Sequence, residues 1–204
     1  MALAFSSWTD LPPWRAVFDS TAETLTVHDP AGTARARLRR RAGPAADAQS
    51  RSDAPEAVSK VRRWFTTTFD ADSLVQRRGR LAEGQSAQLE IIGEPPQPVT
   101  NGRPGAWLRR RKDASFVIAG RSYRLRHRGR RRTELSRDGT AVALLRRRGL
   151  YWRASYGDDA PRAGLRALAA LDQADELAAA LGCSVFGPPG RPGAASAFFR
   201  ELSP

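Results

Sequence analysis

Most of the chain alternates between apolar and polar positions. Trp14, Ala16 and Phe18 alternate with Arg15 and Val17, and Leu25 and Val27 alternate with Thr24, Thr26 and His28. Ala34, Ala36 and Leu38 then fall on one side of a run whose other side is Arg35, Arg37 and Arg39. A period of two marks strands with one dry and one wet face. Between these runs, Asp29-Pro30-Ala31-Gly32 supplies a turn, proline presetting φ and glycine tolerating the tight return. The pattern predicts a hairpin with a dry face and a basic face.

Further strand-like runs follow at Val61 to Phe69, Leu74-Val75 and Gln85 to Ile92, with Asp70 to Ser73 as a turn. In the second half, Ser115 to Ile118 leads through Ala119-Gly120-Arg121 into Ser122 to Arg128. There Tyr123, Leu125 and His127 share one face, and Arg124, Arg126 and Arg128 the other. Thr133 to Ser136 and Ala141 to Leu145 flank the hairpin signal Asp138-Gly139. Arg147-Arg148-Gly149 turns the chain, and Leu150, Trp152, Ala154 and Tyr156 alternate with Tyr151, Arg153 and Ser155. After Asp158 the period lengthens. Ala163 to Ala170 reads as helical, and Ala174, Leu177, Ala178 and Leu181 sit at i, i+3, i+4 and i+7. They predict a helix with Asp172 as N-cap, Asp175 and Glu176 in its first turn, and Gly182 at its end.

One strand occurs twice. Gly32 to Arg41 reads GTARARLRRR and Gly139 to Arg148 reads GTAVALLRRR, differing only at Arg35/Val142 and Arg37/Leu144. Each copy follows a turn signal. The two stand either side of the Pro- and Gly-rich stretch 93–105, which reads as a connector, so the chain divides into two similar β-meander halves. The expected fold is mainly β: an antiparallel barrel or sandwich with a short helix near the C-terminus. Residues 1–13 read as a tether and 14–182 as one β-rich domain. Within it, 42–60 is rich in Ala, Asp, Ser and Pro and is expected to be a mobile loop, being too poor in apolar surface to offset its ordering entropy. Residues 183–204 read as a Gly/Pro loop and a short amphipathic tail carrying Phe198, Phe199 and Leu202.

Charge changes the picture. The 204 residues carry 34 basic and 21 acidic side chains, a formal +13. Such a surface attracts polyanions through long-range fields and counterion release, which makes anionic membrane and nucleic acid the natural partner classes. All the basic side chains except Lys60 and Lys112 are arginine. A GC-rich genome would produce that bias without selection for binding, but it accounts better for arginine over lysine than for thirteen uncompensated charges. Cys183, the single cysteine, excludes an internal disulfide. The start, Met1 to Phe5, lacks the basic residues of a signal peptide, and no run approaches the roughly 18–20 apolar residues that span a bilayer. The expectation is a soluble, cytoplasmic protein, peripheral at a membrane if it meets one.

Catalytic signatures are nearly absent: no G-x-S-x-G, Walker A, G-x-G-x-x-G or H-E-x-x-H occurs. Two histidines and one cysteine do not make a metal cluster. Cys183 beside His28 or His127 would be a nucleophile pair, yet reads more simply as a small packed residue just past a helix end. His127 reads as a core or rim residue, and His28-Asp29 as a turn. The carboxylate pairs Asp70/Asp72 and Asp158/Asp159 sit in turns, where aspartate caps backbone donors. No cofactor or metal is expected, and the chain reads as non-enzymatic.

The arginine runs remain: Arg39-Arg40-Arg41, Arg62-Arg63, Arg77-Arg78, Arg109-Arg110-Arg111, Arg130-Arg131-Arg132 and Arg146-Arg147-Arg148. Most fall at strand ends. In an antiparallel sheet, runs at equivalent ends would gather on one rim, where guanidinium forks meet phosphate. The alternative is a dispersed basic surface that blocks edge-to-edge pairing. The triple runs at 39–41, 109–111, 130–132 and 146–148 are the candidate anion-binding residues.

Many short strands, the turns Asp29-Pro-Ala-Gly-Thr33 and Asp138-Gly-Thr140, and a helix at Asp172 to Leu181 resemble the tubby-like fold, the superfamily of LURP-one-related proteins and phospholipid scramblases. The resemblance covers roughly Trp14 to Leu181. It implies a closed antiparallel barrel around a buried C-terminal helix, and binding of anionic phosphoinositides through basic surface residues. It transfers no lipid-contact residue. A helix inside a barrel is apolar all round, so Asp172, Asp175 and Glu176 must lie at the mouth, or the helix covers an open sheet. The leading expectation is a β-domain binding phospholipid or phosphoinositide headgroups through an arginine-rich rim. The alternatives are a nucleic-acid-binding β module, with Trp64, Trp107, Trp152 and Tyr123 as stacking residues, or a scaffold for an acidic protein.

Overall fold

A computed structural model of the chain describes residues 7–19, 21–39, 81, 84–103, 111–147, 163–187 and 189–190. The first half forms a five-stranded antiparallel meander in chain order: β2 (Arg15–Asp19), β3 (Thr24–His28), β4 (Ala34–Arg39), β5 (Ser86–Ile91) and β6 (Gln97–Thr100). The second half forms another, from β7 (Ala114–Ile118), β8 (Arg121–His127), β9 (Arg132–Arg137) and β10 (Thr140–Arg147) to β11 (Ala163–Ala167). The short β1 (Thr9–Asp10) adds a sixth strand beside β11. Among the described residues one helix, α1 (Gln173–Ser184), follows. The protein is therefore mainly β, two antiparallel meander halves with a short C-terminal helix. Among the described strands, backbone pairing does not close the two sheets into a barrel.

The sheets meet at β6 and β7 through side chains. The amide of Gln97 donates from Nε2 to the Val117 carbonyl (2.6 Å) and accepts from the Val117 N–H (2.7 Å), imitating a backbone pair. Nearby, the Ala119 N–H donates to Glu94 Oε1 at 2.7 Å. The inward positions of both sheets form one core, with Leu25, Val27, Leu38 and Leu89 on one side and Tyr123, Leu125, Leu135 and Leu145 on the other. Burying each such leucine contributes roughly 1.5–3 kcal/mol.

The helix begins with a capping box. Asp172 Oδ1 accepts from the Asp175 N–H (3.0 Å) and Asp175 Oδ2 accepts from the Asp172 N–H (3.1 Å). From Leu177 to Phe186 every residue is buried, so the helix is enclosed while its acids cluster at the N-terminal end. Asp175, itself fully buried, accepts from the Tyr123 hydroxyl (2.8 Å) and from Arg137 Nη1 (2.7 Å).

Both repeat copies form the second strand of a hairpin. Ala36 and Leu38 point inward in β4, as do Ala143 and Leu145 in β10. A register shift between Ala141 and Ala143 also buries Val142, the residue standing where β4 has Arg35.

Four expectations change. The stretch 93–105 contains β6, whose Pro98 is tolerated because β6 ends its backbone ladder. Residues 1–13 include β1 and the buried Leu11, so the sheet extends into the stretch read as a tether. Ala163 to Ala167 is a strand, not a helix: paired with β10 on one side and β1 on the other, its alanines satisfy their backbone in the ladder and propensity is overridden. Gly182 does not end the helix, which runs to Ser184 and takes Cys183 inside it. A Cβ on Gly182 would lie 2.7 Å from Leu125 Cδ2, so this glycine permits close packing rather than a turn. The Gly/Pro loop after the helix packs back on the sheet, the Gly190 N–H donating to Thr133 Oγ1 at 2.7 Å. The stretches 42–60, 61–69, 74–75 and 150–156 and the tail from 191 lie outside the described residues.

Candidate anion-binding site

Antiparallel register decides which arginines meet. Ala114 at the start of β7 is opposite Leu125, His127 at the end of β8 is opposite Thr133, and Arg146 at the end of β10 is opposite both Arg132 and Gly164. The start of β7, the β8–β9 turn and the end of β10 therefore share one end of the six-stranded sheet. That end carries Arg111, Arg130, Arg131, Arg132, Arg146 and Arg147. All are exposed except Arg147, which is half-buried. The Arg147 N–H donates to the Arg131 carbonyl at 2.9 Å, tying two of the runs together. Arg39 stands at the corresponding end of the five-stranded sheet, 3.9 Å from Glu90. Arg40, Arg41, Arg109, Arg110 and Arg148 lie outside the described residues, as do Arg62-Arg63 and Arg77-Arg78.

Isolated arginines complete the picture, and no run of charge marked them as a site. Arg124 and Arg126 project outward from the end half of β8, and just past its end Arg128 forks onto Glu134 at 2.9 Å through both Nε and Nη2. Arg146 and Arg166 both place their guanidinium groups 5.5 Å from the centroid of the half-buried Trp8. Sequence placed Arg124, Arg126 and Arg128 on one face. Only the fold could bring Arg166 and Trp8 to the same sheet face as Arg146.

From the start of β7 an open cleft of about 530 Å³ runs along the outer face of the β7–β8 hairpin, lined by Arg103, Arg111, Asp113, Ser115 and Arg124 and, towards the other end of the sheet, by Ser122. Its neck is fixed by backbone. The Arg103 N–H donates to the Arg111 carbonyl at 2.8 Å. Gly102, at φ +74°, lies against Lys112 so closely that a Cβ would meet its Cα at 2.7 Å, so only glycine lets these two segments approach. Arg103 and Arg111 thus leave the neck side by side. The floor is the outer face of the hairpin, where Ser115 is opposite Arg124 and Ser122 opposite Val117. Asp113 is committed, accepting from Arg124 Nη2 (2.9 Å) and from the His127 N–H (3.2 Å). Arg103 and Arg111 form no ion pair among the described residues.

Acids concentrate at the opposite end of the six-stranded sheet. There the β9–β10 turn holds Asp138, whose Oδ1 accepts from the Ser122 N–H at 2.8 Å, and the helix N-terminus holds Asp172, Asp175 and Glu176. Arg121 pairs with Asp172, holding that carboxyl below the usual range. Burial, with Asp175 beside it, pushes the Tyr123 hydroxyl up to about 12. In the other sheet, the β3–β4 turn uses Asp29 as a bracket: its side chain accepts from the Thr33 N–H (2.9 Å) and Arg35 Nε (2.7 Å), and the Arg35 bond lowers its pKa.

The remaining candidates have structural partners. His127 is buried, with Nδ1 2.9 Å from Thr133 Oγ1. Asp29 is used by its own turn, so His28-Asp29 is a turn as expected. Tyr123 is fully buried and cannot stack on a base. Trp64, Trp107, Trp152, Asp70, Asp72, Asp158 and Asp159 lie outside the described residues. Among the described residues no helix is long and apolar enough to cross a membrane. No protein-family model, curated protein or solved structure matches the chain.

Proposed function

We propose that the protein is a non-enzymatic module that binds anionic phospholipid headgroups with the arginine-bearing end of its six-stranded sheet, peripherally and from the cytoplasmic side. The observation that carries this reading is the convergence of Arg111, Arg130–Arg132 and Arg146–Arg147, from three separate runs, at one sheet end. Arginines at strand ends and on the β8–β9 turn suit a flat polyanionic surface, where each basic side chain contributes roughly 1 kcal/mol near the lipid. The tubby-like affiliation belongs to the same proposal. Nucleic acid is the second reading, favoured by Trp8 lying among Arg146 and Arg166 on that sheet.

Co-sedimentation with phosphatidylcholine vesicles, with and without phosphatidylserine, at about 0.15 M salt tests both readings when excess duplex DNA is present. The headgroup reading expects pelleting only with phosphatidylserine, undisturbed by DNA. It also expects a loss of about a hundredfold in affinity in the R131Q/R132Q/R146Q variant. Displacement by DNA would favour the second reading, and no pelleting would remove the first.

A further inference from the structure

The cleft at the neck of Arg103 and Arg111 is more selective in form than a basic surface needs to be. We propose that it is a site for a phosphomonoester, distinguishing the dianionic terminal phosphate from the singly charged diester. It deepens the headgroup reading where the phosphate belongs to a lipid, and stands apart from it where the phosphate belongs to a soluble molecule.

The chemistry follows from what lines the cavity. Near neutral pH a phosphomonoester carries a charge of about −1.5 to −2 and presents three acceptor oxygens. A diester has one charge and two unesterified oxygens. Arg103 and Arg111 bring two guanidinium forks with no ion pair among the described residues, and Arg124 a third. Ser115, opposite Arg124, adds a hydroxyl donor on the floor, and Ser122 borders the far side of the cleft. Such a cationic donor set favours a terminal phosphate, with its higher charge and third free oxygen, over a diester. Asp113, the one carboxylate in the lining, is already held by Arg124 and the His127 N–H and so repels the ligand less than an unpaired acid would. The backbone bond between Arg103 and Arg111 and the tight Gly102–Lys112 approach fix the backbone from which the two forks extend, so only their side chains must be ordered on binding. The volume, about 530 Å³, falls within the usual range for small-ligand sites and leaves room for the group that bears the phosphate.

The test titrates the full chain with glycerol 3-phosphate and with dimethyl phosphate, by calorimetry and by amide shifts of Ser115 and Ser122. Glycerol 3-phosphate is expected to bind at least about tenfold more tightly, weakening below about pH 6 as its second proton returns. R103Q, a change at an exposed residue, is expected to cost about tenfold with an unchanged melting temperature, as expected for losing one charge-assisted contact. R15Q, on an exposed position of β2 in the other sheet, should leave this binding intact. Vesicles of phosphatidylcholine containing phosphatidic acid or charge-matched phosphatidylglycerol then separate the sources. A preference for phosphatidic acid that R103Q abolishes assigns the site to a lipid phosphate, and glycerol 3-phosphate binding without that preference assigns it to a soluble one. If no vesicle is bound but glycerol 3-phosphate is, the headgroup reading fails and the cleft stands. Equal binding of the two soluble probes, no binding of either, or indifference to R103Q overturns it.

Discussion

Asp175 is where helix, sheet and charge meet. Its carboxylate closes the capping box, accepts from the Tyr123 hydroxyl and pairs with Arg137, all at full burial. Replacing Arg137 by methionine would leave that charge without its cation. Since Arg137 is itself partly exposed, we expect the low end of the buried-pair range, about 3 kcal/mol, in urea unfolding. Tyr123 has a second consequence. Its folded-state pKa, about 12, lies above the value near 10 of an unfolded tyrosine, so the folded protein holds the proton more tightly. The stability it contributes is complete below pH 10 and is lost as pH rises towards 12. Denaturant midpoints at those pH values should show this fall, and Tyr123→Phe should flatten it. Asp29 and Asp172 act in the opposite sense. Their folded pKa values are depressed by Arg35 and Arg121, so their contribution is present above about pH 4 and lost below it. Asp29→Asn and Asp172→Asn should each make the acid limb of a stability–pH profile shallower. An unchanged limb would deny those arginines the role given to them.

At the scale of elements, the seam between β6 and β7 depends on one side chain. Gln97→Ala removes both bonds to Val117 and is expected to cost about 1–2 kcal/mol, with faster hydrogen exchange at the Val117 amide. Gln97→Glu keeps the acceptor but loses the donor and should not restore it. Strands and the helix start were legible where local chemistry and tertiary position agree: Asp172 with Asp175, Asp138-Gly139, and the alternation of Tyr123, Leu125 and His127. They were illegible where tertiary position wins. Nothing in Ala163 to Ala167 says strand until β1 and β10 flank it. Gly182 carries the same letter as a helix stop but is required by Leu125 and Leu145, both distant in sequence. Placing valine there should overpack the core by about 1–3 kcal/mol.

For the molecule as a whole, runs such as Arg130–Arg132 were visible at once, but their common address needed the register of four strands. Arg103 shows the limit best. A lone arginine in a Gly/Pro stretch carries no signal, and it reaches a site only because Gly102 lets the chain close on Lys112. With a net charge of +13, the fold also works against its own repulsion. Melting temperature should therefore rise by a few degrees when sodium chloride is raised from about 0.02 M to about 0.3 M, and a flat or falling trend would show that local pairs already neutralise the strain. In the six-stranded sheet the acids around the helix N-terminus and the arginines beyond Arg128 lie at opposite ends. The centre of charge is thereby displaced from the centre of mass, so a field gradient exerts a torque as well as a pull. Near a negative surface the molecule would turn before it touches, arriving arginines first, and fewer encounters would be wasted on the wrong face.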